Sequence, residues 1–334
     1  MRILITGGAG FMGSNLVEHH LSRGDTVYAV DNLSSGCKAN VEPFLNNRNF
    51  RFIEEDIITW RDIDKIVMWA DIIYHLAAVV GVFKVLEEPS RVLAVNIAGC
   101  ERLLRAINTT DWKPRVLIAS SSEVYGPSSA KILDEESNLI VEAAARNRWH
   151  YAVSKLSDES FGLAYYRKFK IPITLLRFFN TIGPRQKGRY GMVVPRFVSQ
   201  AIKGEPITVF GDGNQSRSFC DVRDTVRILQ KLAETPKSIG EIVNVGNDHE
   251  VTINQLAETV KKIANSSSPI VRIPYDEAYG EEYVDIQRRR PSLKKLNSLI
   301  DINFEWDLEK SIKSIVNHYK ETLTLPSPTS GRGN

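Results

Sequence analysis

The chain has 334 residues, enough for one large core or for a large and a small lobe that share one. Hydrophobic residues make up 43% and charged residues 25%, which excludes a disordered or fibrous chain. The formal charge of +3 comes from 43 basic and 40 acidic residues scattered along the sequence, so no concentrated patch exists to grip a phosphate backbone and no nucleic-acid partner is expected.

Short apolar runs alternate with longer amphipathic ones through the first half. RILITG is followed by a helical NLVEHHLSRG, then by TVYAVD, NFRFIEED, ADIIYHLAA, RVLIASSS and ITLLRFFN. Strand-length branched runs separated by helix-length segments describe βαβ units, hence an α/β, Rossmann-type doubly wound parallel sheet. Beyond Asn180 the rhythm loosens into GPRQKGRYGMVVPRF, a short EPITVFGDG strand and turn, and a helical TINQLAETVKKIA. The expected division is 1–180 mainly as the sheet-forming domain and 181–322 mainly as a smaller lobe, with elements interleaved. The closing residues, 323–334, carry too few apolar groups to hold a fixed shape and read as a disordered tail.

Cys37, Cys100 and Cys220 are widely spaced and form no CxxC, which argues against a disulfide framework or a structural zinc site. No bound metal is expected, and a reducing compartment fits. The opening MRILITGGAGFMG lacks the pattern of a cleavable signal, and no apolar run approaches the roughly 18 residues of a membrane span. The expectation is a cytoplasmic protein with no membrane association.

In ILITGGAGFMGSNLVEHHL, Gly7, Gly10 and Gly13 follow a strand and precede a helix. Small residues there let the chain turn tightly and let its backbone approach a pyrophosphate that faces the helix N-terminus. Asp31 ends the next strand, where its carboxylate can accept bonds from both hydroxyls of an adenosine ribose and repel a 2′-phosphate, which favours NAD over NADP. The competing reading is a turn-forming Asp in DNLSSG. Tyr151 and Lys155, in WHYAVSK, are four apart on a helix and share one face. A neighbouring ammonium stabilises a phenolate, which would make Tyr151 a base usable nearer neutral pH for removing a hydroxyl proton as hydride leaves for a nicotinamide.

Taken together, TGGAGFMG, Asp31, HLAA, SSSEVYG, YAVSK and RFFNTIGPRQ resemble the extended short-chain dehydrogenase/reductase family, specifically its nucleotide-sugar epimerases, dehydratases and decarboxylases. The match runs in order from Met1 to about Tyr319. The resemblance implies NAD contacts at Gly7, Gly10, Phe11, Met12 and Gly13, at Asp31 and Asn32, at Asp56 and Ile57 near adenine, and at Leu76, Ala77 and Ala78. It also implies that Lys155 holds the nicotinamide ribose, that Ser121 bonds the sugar hydroxyl being oxidised, and that Tyr151 is the base. Ser122, Asn180, Val194 and Arg217 fall where relatives hold the nucleotide sugar, and a homodimer is expected through two long helices. The plain alternative for Arg217 is a surface ion pair.

Glu123, in SSSEVYG, raises a further question. Relatives that only invert C4 often lack a carboxylate at this place, whereas dehydratases and uronate decarboxylases tend to carry one as a second acid/base group, because C5 chemistry opens once C4 is a ketone. The alternative is a strand-end glutamate paired with an arginine. In YGEEYVDIQRRRPS, Tyr283 and Arg289 resemble the tyrosine and arginine of UDP-glucuronate decarboxylases, although Val85 stands where those enzymes usually have a tyrosine, and Arg289 could instead clamp a phosphate. The implied activity is transient NAD-dependent oxidation of an NDP-sugar at C4, followed by decarboxylation or C4 epimerisation and return of the hydride. A 4,6-dehydratase is the alternative, weakened by Ser122 at the usual aspartate position. From another class, a non-catalytic NAD-binding sensor or scaffold has no need of Ser121, Tyr151 and Lys155.

Overall fold

A computed structural model gives the structure of the chain, described for residues 1–141, 149–188, 191–279 and 285–324. The first half supplies strands β1 (Arg2–Thr6), β2 (Thr26–Val30), β3 (Phe50–Ile53), β4 (Ile72–His75), β5 (Arg115–Ser121) and β6 (Ile173–Phe178). Between them run helices α1 (Phe11–Ser22), α2 (Ile63–Trp69), α3 (Val82–Glu87), α4 (Pro89–Asn108) and α5 (His150–Phe169). The second half adds the strands β7 (Thr181–Ile182), β8 (Ile207–Phe210), β9 (Ser216–Ser218), β10 (Cys220–Asp221), β11 (Ile242–Val245), β12 (Glu250–Thr252), β13 (Ile270–Ile273) and β14 (Arg288–Arg289). Its helices are α6 (Val193–Lys203), α7 (Val222–Glu234), α8 (Ile253–Ala264), α9 (Tyr275–Tyr279), α10 (Lys294–Leu299) and α11 (Leu308–Thr324).

Seven parallel strands form the main sheet in the order β11-β6-β5-β4-β1-β2-β3. The pleat divides each apolar run between two layers. Ile3 and Ile5 pack under Leu16 and Val17 of α1 and Val226 and Leu229 of α7, while Leu4, Ile73 and Val116 pack on the opposite side with Val67 of α2 and Leu103 and Leu104 of α4. Six of these strands coincide with the runs singled out in the sequence. The seventh, β11, comes from the loosened second half and closes the edge of β6.

The smaller lobe has its own core, in which Phe197 and Val198 of α6, Leu256 and Val260 of α8 and Ile312 and Ile315 of α11 enclose Ile207 and Val209 of β8. Helix α8 starts at a full capping box, with Thr252 accepting from the Gln255 amide and Gln255 reaching back to Thr252. Helix α11 runs to Thr324, so the first two residues of the expected tail are helical; 325–334 lie outside the described residues. No helix among the described residues is long and apolar enough to cross a membrane.

Candidate active site

A cleft of about 510 Å³ lies at the carboxyl ends of the sheet strands, between the sheet and the smaller lobe. It is lined by every candidate residue named from the sequence except Tyr283, which lies outside the described residues.

At one end, β1 turns into α1. Gly7 has φ +72°, and a Cβ on it would stand 2.8 Å from the Ala77 nitrogen; a Cβ on Gly13 would stand 2.1 Å from the Gly7 carbonyl oxygen. Only glycine lets these backbones close on each other. Gly10 caps α1 without a side-chain bond, so the first-turn amides face the cleft with no side chain in the way. Phe11 and Met12 follow in that turn, and Leu76, Ala77 and Ala78 form the facing wall at the end of β4. The residues present therefore fit a dinucleotide.

Asp31 makes the bonds of a turn residue and also stands at the cleft. One carboxylate oxygen accepts from the Leu33 amide at 2.8 Å, and the other from the Ala9 amide at 3.0 Å. The side chain thus holds the turn, yet it lines the cleft and retains lone pairs for further donors. Burial pushes its carboxyl up despite those amides. Asn32 donates to Asp56 at 2.8 Å, and Asp56 in turn accepts from the Ile58 amide at 2.9 Å, which fixes the loop beside Ile57.

At the other end, SSSEVYG passes from strand to a single 3₁₀ turn, Ser122–Tyr125. Ser121 caps it by accepting from the Glu123 amide at 3.2 Å, and Gly126 leaves it at φ +62°, where a Cβ would stand 1.8 Å from the Ile140 carbonyl oxygen. Below this turn, Glu159 of α5 takes a bond from Ser120 at 2.6 Å and two from Arg177 of β6 at 2.9 and 2.8 Å. This buried network locks α5 against the sheet and so sets the height at which Tyr151 and Lys155 reach the cleft.

Lys155 is 2% exposed and donates to Asp158 at 2.8 Å. Burial works against its charge, but Asp158 and Tyr151 outweigh burial and hold its pKa up. The expectation that the lysine brings Tyr151 toward neutrality is corrected in net direction. Burial pushes the phenol up, assisted by the charges of Glu123 and Asp158; Lys155 and a bond to Ser121 pull it back only in part. The ring, partly buried, packs against Val79, Val85 and Val92, an apolar wall on one side of it.

Glu123 accepts from the Arg289 guanidinium at 2.7 Å, with side chains 20% and 9% exposed. The carboxylate is thus both ion-paired and in the cleft. Among the described residues, the buried Arg289 Nε and Ser122 Oγ have no protein partner, so donor capacity remains there. Arg217 of β9 makes two 3.0 Å bonds to Asp285, which also accepts from Tyr275 at 3.0 Å. Its pair is buried rather than on the surface, and its charge is already matched. The Asn180 amide donates to the Ser218 carbonyl at 3.0 Å, and Val194 is a core residue of α6 whose edge reaches the cleft.

Arg196, Phe210, Tyr275, Tyr279 and Asp285 also line the cleft and were not picked out from the sequence. Arg196 lies 3.6 Å over the Phe210 ring and, through burial, has its pKa lowered to about 10.

Residues 3–246 match the sequence model of the NAD dependent epimerase/dehydratase family. The chain is 34% identical over 321 residues to a UDP-N-acetyl-alpha-D-glucosaminuronate decarboxylase of Bacillus cytotoxicus, covering 96% of this chain and 98% of that protein. It is 32% identical to UDP-glucuronic acid decarboxylase 1 of Danio rerio, over 99% of this chain and 77% of that one. Among solved structures, UDP-glucuronic acid 4-epimerase from Bacillus cereus, in complex with UDP-glucuronic acid and NAD, superposes with a TM-score of 0.86 at 28% identity, covering 96% of this chain and 100% of the other.

Proposed function

The chain belongs to the NAD dependent epimerase/dehydratase family, and from that premise we propose that it oxidises a UDP-uronate at C4, releases carbon dioxide from the resulting β-keto acid and restores the C4 hydroxyl before product leaves. The observation that carries this reading is the Glu123–Arg289 pair in the same cleft as Ser121 and Tyr151. The relatives' decarboxylase names support it.

The α1 turn and Asp31 would hold NAD, which when bound would supply the acceptor for the C4 hydride and its return. Tyr151 takes the C4 hydroxyl proton, Ser121 holds that hydroxyl in reach, and Lys155 offsets in part the burial that disfavours the phenolate. Arg289 receives the C6 carboxylate through its remaining donors. When the C5–C6 bond breaks, its electron pair enters the C4–C5 enolate, and Glu123 delivers a solvent-derived proton to C5. Arg217 and Asn180 face the nucleotide diphosphate. For Arg217 this requires Asp285 to share its charge or yield its place.

A second reading, simple C4 epimerisation, is favoured by Val85, which leaves an apolar surface where a uronate-recognising hydroxyl would be expected. Incubation with UDP-glucuronate, UDP-N-acetylglucosaminuronate, UDP-glucose and UDP-N-acetylglucosamine, followed by mass spectrometry, separates the two. Loss of carbon dioxide from a uronate supports decarboxylation; an isomer of unchanged mass supports epimerisation; loss of water or no reaction refutes both. A cytoplasmic location and a homodimer through two long helices complete the reading that the family resemblance implies; size-exclusion chromatography with light scattering tests the dimer.

A further inference from the structure

The buried charges behind Tyr151 extend beyond the tyrosine and lysine that the reaction requires. One helical turn past Lys155 on α5, Asp158 is 1% exposed and bonds the ammonium at 2.8 Å. The groups facing this pair come from three elements. Tyr151 and Glu159 share its helix, Cys100 comes from α4 with Glu101 acting on that thiol, and His75 comes from β4; Glu123, itself paired with Arg289, acts on Tyr151 from the turn after β5. His75 offers no charge, because burial and then Lys155 lower its pKa to about 3. The Cys100 thiol lies against the Asp158 carboxyl, but a thiol is only a weak donor, and burial raises its pKa well above normal. Glu159 is already occupied by Arg177 and Ser120. Asp158 is therefore the direct counter-ion of a lysine with almost no access to water.

We infer that Asp158 is a positioning residue that keeps Lys155 protonated and fixed beneath Tyr151, and so sets the pH range over which the tyrosine can exchange its proton. The inference rests on the oxidising role given to Tyr151 above. A buried ammonium that loses its counter-ion sheds its proton instead of remaining charged. Without Asp158, Lys155 is neutral at alkaline pH and no longer supports a phenolate. At lower pH, where the lysine is still charged, the phenolate forms more readily because the repelling carboxylate has gone. Both effects move activity toward acid.

Two measurements on Asp158→Asn and Asp158→Glu test this. The first is thermal unfolding of the cofactor-free protein against pH. In the wild type the raised lysine pKa keeps its stabilisation in place below about pH 10, the ordinary lysine value. In Asp158→Asn a depressed folded pKa makes stability fall as pH drops below about 10, so the gap to the wild type widens toward about pH 7. The second is the pH profile of kcat/KM: Asp158→Asn is expected to lose about tenfold more activity than the wild type between about pH 7 and about pH 9, in keeping with an opposite-charge effect of one unit or more. Asp158→Glu restores the alkaline side. A stability gap that does not change with pH, or a loss of activity uniform in pH, overturns the inference. Should Asp158→Asn fail to fold, the double variant Lys155→Met/Asp158→Asn, which leaves neither charge of the pair, is expected to fold; if it is no more stable than the single variant, the inference is again overturned. A wild type inactive on every sugar refutes the proposed reaction, and the unfolding measurement then decides the role of Asp158 by itself.

Discussion

Replacing Glu123 by glutamine separates the two halves of the proposed cycle. The amide retains the shape of the carboxyl group and can still accept from Arg289, so the turn capped by Ser121 should persist. Two consequences follow from the lost charge. Glu123 raises the Tyr151 pKa, so its removal lets the phenol give up its proton at lower pH, and the acid limb of C4 oxidation moves down. The keto intermediate, however, loses its acid/base partner. A positioned acid/base group contributes roughly 100-fold to 10,000-fold, which is about 3–5 kcal/mol of barrier. Oxidation should therefore proceed while later steps stall, and reduced nicotinamide should accumulate on the enzyme. A single-turnover absorbance trace with the true substrate, taken across pH, reads both effects. Wild-type turnover without build-up of NADH would refute the reasoning and leave Glu123 as a structural partner of Arg289.

Tyr151→Phe removes the proton acceptor but little else, so turnover should fall by at least about 100-fold while NAD affinity, measured by titration, stays close to normal. Asp31→Ala should narrow the preference for NAD over NADP by relieving repulsion of a 2′-phosphate; unchanged relative affinities would mean that Asp31 serves only the turn made with Ala9 and Leu33. Arg177→Met leaves Glu159 buried without its cation, and such a loss costs about 3–5 kcal/mol. Urea unfolding should show it, and a cost below about 1 kcal/mol would mean that the network does not anchor α5.

The strands of the first half were legible because a sheet covered on both faces needs unbroken apolar runs, and RILIT, IIYH and RVLIASS supply them. Strand β11 was not, because its four residues, IVNV, include Asn244. That asparagine is buried only because Tyr125, Glu135 and the Leu133 carbonyl, all more than 100 residues earlier, complete its bonds. The site shows the same division. Local spacing revealed the glycines of the α1 turn and the pair Tyr151 and Lys155. It could not reveal that Asp285 would meet Arg217 or that Glu123 would meet Arg289 across 166 residues. The net direction of the Tyr151 pKa was also hidden, since it depends on burial by Val79, Val85 and Val92 as well as on the lysine next to it.

The late arrival of β11 bears on how the chain is made. During synthesis β6 emerges more than sixty residues before the strand that completes its edge. Until then Ile173–Phe178 presents an apolar strand with one row of backbone groups unpaired, a template for pairing with another nascent chain. A fragment ending near residue 180 would lack β11 and also α7, whose Val226 and Leu229 pack against Ile3 and Ile5, and would leave that apolar face of the sheet open to water. The glycine turn at the end of β1, although built from the first half, therefore depends on the second half for the packing beneath its strand.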